Sequence, residues 1–173
     1  MTPYDLQPGD VFCTASPMLL GRAICAVEAF WSPDGKAKYS HAGVITRGGD
    51  HPVSYEALWT NCRQDFNSAY KGRQVIIGRH QEMNTTHFVM GWDGVRHLEG
   101  KWYAGHRLLL HIFPPLARQF ATGGFAVCSE LAAKFLFSAG LLHVWQGVTP
   151  DYLSEVIIMH RGWHTIYEGI WEG

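Results

Sequence analysis

Two residues in this chain combine reactive side chains with the kind of position that makes them reactive. His41 opens an apolar run, Tyr39-Ser40-His41-Ala42-Gly43-Val44-Ile45, and Cys128 opens another, Phe125-Ala126-Val127-Cys128-Ser129-Glu130-Leu131. A thiol at a helix N-terminus sits among unpaired backbone N–H groups and the positive end of the macrodipole, both of which favour an anion. Beside an imidazolium, such a thiol drops from a pKa of about 8.5 into the range of roughly 3.5–7.5, so that the nucleophilic thiolate dominates at neutral pH. The chemistry this pair would do is attack on an acyl carbon, with the imidazole carrying the proton.

The elements that must position the pair can be read from spacing. Gly123-Gly124 interrupts the chain before Cys128, after which Leu131, Ala132, Phe135 and Leu136 recur at helical intervals until Gly140 stops them. Cys128 shares the stripe of Leu131, Ala132 and Phe135 and therefore faces inward. Residues 41–46 and 53–58 read as two strands, with Gly48-Gly49 between them as a two-residue hairpin turn. Counting outward from that turn sets Arg47 against Asp50 and His41 directly against Glu56. Facing side chains at that spacing lie about 5 Å apart, within reach of a carboxylate–imidazole hydrogen bond that fixes the ring tautomer. A wider loop would slip this register, and Pro52 predicts an imperfect ladder.

Each residue also has a plain alternative. An inward-facing cysteine is commonly no more than a small buried hydrophobe, and a lone histidine is more often a satisfied structural residue than a base. Glu56, within Tyr55-Glu56-Ala57-Leu58-Trp59, is harder to account for, because carboxylates are rarely buried without a partner.

The segments Leu6-Gln7-Pro8-Gly9-Asp10-Val11-Phe12, Tyr39-Ser40-His41-Ala42-Gly43-Val44-Ile45, Tyr55-Glu56-Ala57, Val127-Cys128-Ser129-Glu130-Leu131 and Val148-Thr149-Pro150-Asp151-Tyr152-Leu153 resemble the circularly permuted branch of the NlpC-type papain-like hydrolases, with the YiiX/YebB-like proteins as the nearest group. In that branch the histidine strand and its acidic partner precede the cysteine helix, which is the order here. The resemblance implies an α+β papain-like fold, an antiparallel sheet or partial barrel packed against the cysteine helix. It implies Cys128 as nucleophile, His41 as general base and Glu56 as the residue orienting it, with no cofactor and no metal. Relatives of this fold act on peptidoglycan peptides, other amides and acyl esters. The expected activity is thus a cysteine-dependent amide hydrolase working through a thioester, with an acyl esterase or acyltransferase on the same triad, or a catalytically silent binding module, as alternatives. The first oxyanion donor would be the Cys128 N–H, the second a group near Ser40 or Asp10.

Composition bounds the rest. The 173 residues, 47% of them hydrophobic, suffice for one substantial core, and residues 1–173 are read as a single domain. A net charge of −1 with dispersed Lys and Arg argues against nucleic acid as a partner. No apolar run approaches the roughly 20 residues of a membrane span, and the polar start does not read as a signal peptide, so a cytoplasmic or phage-encoded protein is expected. Cys13, Cys25, Cys62 and Cys128 have neither zinc-type nor disulfide-scaffold spacing, consistent with a reducing compartment. Ten histidines raise a metal site as a further alternative, but His80 with His87, His106 with His111, and His160 with His164 lack a carboxylate pattern, although the last pair would share a helical face. Trp31, Trp59, Trp92 and Trp102 read mainly as core, with a substrate cleft as the other possibility.

Other expected elements are a strand over 10–14, a helix over 19–30, a turn over 31–35, a strand over 73–79, a glycine-weakened helix from Thr86 to Trp102, and a strand or helix over 108–113. A helix capped by Thr149 and a closing strand over 163–170 complete the series.

Overall fold

The structure, a computed structural model, describes residues 5–15, 37–101 and 128–173 together with Cys25, Ala26 and Ala29. The helix expected over 19–30 falls largely outside these residues; the turn over 31–35, the segment 108–113 and the break at Gly123-Gly124 fall wholly outside them.

The fold is α+β. Strands β1 (Val11–Thr14), β2 (His41–Arg47), β3 (Val53–Ala57), β4 (Asn61–Asp65), β5 (Gln74–His80) and β6 (Trp163–Ile170) form one antiparallel sheet in the order β4-β3-β2-β1-β5-β6. The helices are α1 (Phe66–Tyr70), α2 (Thr85–Val95), continued by a 3₁₀ turn over Arg96–Leu98, α3 (Cys128–Ser138) and α4 (Pro150–Met159). The side-chain alternation of a strand gives the sheet two apolar faces. On one, Val11, Cys13, Ala42, Val44, Tyr55 and Ile76 pack with Leu131, Phe135 and Leu136 of α3 and with Leu153 and Ile157 of α4. On the other, Phe12, Ile45, Val75 and Ile77 pack against Phe66 and Tyr70 of α1 and against the fully buried Trp171.

The β2–β3 connection differs from the two-residue hairpin. The strands end at Arg47 and resume at Val53, a register shift falls between Ile45 and Arg47, and Glu56 pairs with Gly43 rather than with His41. The two glycines serve another purpose. A side chain on Gly48 would stand 1.8 Å from the Leu6 carbonyl oxygen, and the Gly49 N–H donates to that same oxygen at 3.3 Å. They make room for the incoming chain, which then docks on β2 through Gly9 N–H to Ile45 O and Ile45 N–H to Asp10 O, both 2.8 Å. Arg79 of β5 grips the buried Asp10 carboxylate with two bonds, Nε to Oδ1 at 2.7 Å and Nη2 to Oδ2 at 2.8 Å, a bidentate geometry that fixes direction as well as distance.

The helix expected with Thr86 as its cap is capped two residues earlier, by Asn84, which accepts the His87 N–H at 3.1 Å. It gives way to the 3₁₀ turn after Val95 instead of running to Trp102. Strand β4 and helix α1 were not anticipated. The α4 helix begins as expected, with Thr149 Oγ1 accepting the Tyr152 N–H at 3.2 Å and Pro150 in its first turn.

Candidate active site

Gly43 is the position around which the site is arranged. It lies opposite Glu56, and a Cβ there would meet the Phe12 ring at 2.7 Å and the Glu56 Cβ at 3.0 Å. With hydrogen in its place, the Glu56 side chain crosses diagonally to the next residue on the same face of β2, which is His41. Glu56 Oε2 accepts from His41 Nε2 at 2.6 Å. The observed register is two residues away from the sequence expectation, and a slip of two preserves the face of every side chain. The partner therefore survives although the pairing does not.

Glu56 has no solvent exposure. Its other contacts are also donors: Ser54 Oγ gives a hydrogen bond to Oε1 at 2.6 Å, and the Tyr70 hydroxyl gives one to Oε2. Burial alone would raise the Glu56 pKa, but the hydrogen bond and charge of His41, with the Ser54 and Tyr70 hydroxyls, hold the carboxyl below its ordinary 4.5.

Cys128 opens the described part of α3 and is 5% exposed, in the core on the helix side of the sheet. His41 occupies the other face, yet as the first residue of β2 it lies at the strand's end, where its ring meets the thiol. With Nε2 taken by Glu56, Nδ1 is the nitrogen left for sulfur. Burial alone would push the Cys128 thiol up, but the charge and hydrogen bond of His41, and the backbone amides of Ala42 and Ser129, bring it below its ordinary 9.0. Burial would likewise depress His41, but the charges and hydrogen bonds of Cys128 and Glu56 outweigh it and push the imidazole up to about 10. Thiolate and imidazolium therefore stabilise one another, and the buried carboxylate supports the cation from its far side.

The two residues after the cysteine fasten the helix start. Ser129 Oγ donates to the Val148 carbonyl at 2.7 Å, and Glu130 Oε1 accepts the Gly147 N–H at 3.0 Å; both side chains are buried. The segment leading into α4 is thereby tied to the turn that carries Cys128.

Of the groups near Ser40 and Asp10 expected to supply a second oxyanion donor, the two residues' own backbone N–H groups are already engaged. The Ser40 N–H is committed to Thr14 O at 3.0 Å and the Asp10 N–H to Gln7 O at 3.1 Å. Tyr70 and Ser54 are the residues that sequence reasoning missed. Ser54 sits two residues from Glu56 on a strand, so same-face alternation could have found it.

Among the described residues no group of three His, Cys, Asp or Glu is arranged to hold a metal ion, and His41 Nε2 and Glu56 Oε2 are engaged with each other. His160 caps α4 and His164 lies in β6, so the expected shared helical face does not exist. His80 is buried edge-on against Trp163, with ring centroids 5.3 Å apart, whereas His106 and His111 lie outside the described residues. Trp59 is 83% exposed on the β3–β4 turn, while Trp92 packs edge-on against Tyr55; Trp31 and Trp102 are outside the described residues. No described helix is long and apolar enough to cross a membrane.

No protein-family model matches the chain, and no curated protein does. Among solved structures, the crystal structure of the metalloprotein YiiX from Escherichia coli O157:H7, a DUF1105 protein, superposes with a TM-score of 0.63 at 14% sequence identity, covering 96% of this chain and 99% of that one. At that identity the likeness is one of fold: this chain has an α+β architecture similar to that of YiiX.

Proposed function

We propose that this protein is a cysteine-dependent hydrolase of the circularly permuted NlpC-type, papain-like kind, cleaving an amide bond through Cys128, His41 and Glu56. The observation that carries the reading is the single imidazole spanning a buried carboxylate and a buried thiol, with the thiol pKa lowered and the imidazole pKa raised to about 10. A purely structural cysteine has no need of either neighbour.

In the proposed reaction the Cys128 thiolate adds to the substrate carbonyl carbon. His41 Nδ1 then gives its proton to the departing amine as the C–N bond breaks, leaving a thioester on Cys128. Water attacks the thioester, His41 takes the water's proton, and the carboxylic acid leaves as the thiolate returns. Glu56 holds the ring through Nε2 so that Nδ1 points at sulfur and leaving group throughout. Peptide-like amides, peptidoglycan stem peptides among them, are the first substrates to try. Acyl esters are the second, since the same thioester forms from either.

The test is the pH dependence of iodoacetamide labelling at each cysteine, read by peptide mass spectrometry in the native protein and in His41→Ala. Cys128 should label well below pH 8 and lose that reactivity at least about tenfold without His41, while Cys13, Cys25 and Cys62 are indifferent to it. Labelling of Cys128 that is unaffected by His41→Ala overturns the proposal. A metal-dependent reading has one observation in its favour, the metalloprotein description of YiiX. Metal analysis of the purified protein decides it: stoichiometric zinc or iron, with thiol labelling restored on chelation, would replace the hydrolase reading with a metal site.

A further inference from the structure

Glu56 lacks what usually accompanies a buried carboxylate. Among the described residues no arginine or lysine is hydrogen-bonded to it; the charged partner is His41, and the remaining hydrogen bonds come from neutral hydroxyls. Those hydroxyls are oriented. Ser54 Oγ donates to Oε1 from the same strand face, and its weaker contact to Gln64 O, at 3.4 Å, leaves the carboxylate its principal acceptor. Tyr70 receives the Gln64 side-chain amide at 3.5 Å on its oxygen, which directs its own proton toward Glu56 Oε2. The Tyr70 ring is held by Phe12 and Phe66, with centroids at 4.9 and 4.8 Å, and Arg73 stands over it at 5.7 Å. Facing Glu56 from the next strand is Cys62, whose thiol is pushed up by burial and by the Glu56 charge. Burial and that same charge push the Tyr70 phenol up, so it stays a donor.

Resting on the triad reading above, we propose that Tyr70 and Ser54 are positioning residues that keep Glu56 an ionised carboxylate aimed at His41 Nε2. Without two donors, a carboxylate in this apolar setting takes up a proton more readily, and a protonated Glu56 no longer supports the imidazolium that Cys128 depends on. The bond to His41 alone leaves one carboxylate oxygen unsatisfied. The two hydroxyls come from different elements, β3 and α1, so the carboxylate plane is fixed as well as its charge.

The experiment is a carbon-13 NMR titration of the Glu56 carboxyl, paired with the acid limb of Cys128 iodoacetamide labelling, in wild type, Tyr70→Phe, Ser54→Ala and Ser54→Thr. Each loss of a hydroxyl should raise the Glu56 midpoint by about one pH unit, the size expected for a hydrogen bond to a charged group. The labelling limb should move up with it, and Ser54→Thr, which retains the hydroxyl, should stay at the wild-type position. An unmoved midpoint, or a moved midpoint with a stationary limb, in the variants that retain a cooperative unfolding transition overturns the proposal; Ser54→Ala carries the test if Tyr70→Phe does not fold. Failure of the triad reading looks different: wild-type labelling would then be independent of His41.

Discussion

At the scale of single residues, the site is a row of proton holders with one acceptor at its centre. Among the described residues, Glu56 receives three hydrogen bonds and gives none. Replacing it with Gln removes the charge that stabilises the imidazolium, so His41 titrates below its value of about 10 and the Cys128 thiol titrates higher. The labelling midpoint of Cys128 in Glu56→Gln should move up by about one pH unit, and turnover of a hydrolysable substrate should fall without vanishing. Cys128→Ser and His41→Ala should abolish turnover with the fold intact by circular dichroism. Gly43→Ala should disrupt the site directly, because its methyl group has to displace the Phe12 ring or the Glu56 stem. A cost of about 1–3 kcal/mol in chemical denaturation is expected, with loss of His41-dependent labelling at Cys128.

At the scale of elements, legibility followed the kind of signal each segment carried. The α3 helix, the Thr149 cap and strand β6 were readable because their determinants are local: apolar spacing, a side-chain cap with proline, and β-branched and aromatic residues in alternation. The β2–β3 register was not, because Gly48 and Gly49 answer to Leu6, a contact far away in sequence. Strand β4, Asn-Cys-Arg-Gln-Asp, is an edge strand with an intermittently exposed polar sequence, and α1 is five residues long, too short for periodicity to reveal. Tyr70 sat in that unread stretch, which is why the support behind Glu56 was invisible while Glu56 itself was not. The glycines that weakened the expectation for α2 have a tertiary reason: a Cβ on Gly91 would meet the Phe135 ring at 2.7 Å, and one on Gly94 would meet Ser138 Oγ at 2.1 Å, so they permit close approach to α3. The Ser129–Val148 bond makes a separate prediction. Ser129→Ala leaves a buried carbonyl without its donor, costing about 1–3 kcal/mol, and should lower the thermal midpoint by several degrees while speeding amide exchange at residues 147–149.

At the scale of the whole molecule, the thiol–imidazole pair leaves a signature in stability against pH. His41, raised from 6.5 to about 10, contributes stability that is complete below 6.5 and lost as pH rises through about 10. Cys128, lowered from 9.0, contributes stability that is complete above 9.0 and lost as pH falls through its folded value. Below 9.0, and down to the folded value of Cys128 or to 6.5, whichever is higher, the two slopes cancel, since folding there only moves a proton from sulfur to nitrogen. This pair's share of stability should therefore be flat just below pH 9.0 and decline on the alkaline side through about pH 10. Cys128→Ala should reduce the alkaline decline, because it removes the charge that does most to raise His41 against the effect of burial. Denaturant unfolding of both proteins at closely spaced pH values checks this, and a wild-type decline unchanged in Cys128→Ala would contradict it.

The order of the site residues along the chain also has a temporal side. His41 and Glu56 lie on one hairpin that leaves the ribosome well ahead of Cys128, by roughly ten seconds at ordinary rates of synthesis. During that interval the nascent hairpin carries the proposed base and acid with no Cys128 beside them. Under the proposed triad, the activated thiolate requires α3 to meet strands β1 to β5, which all precede it in the chain, while β6 is still to follow.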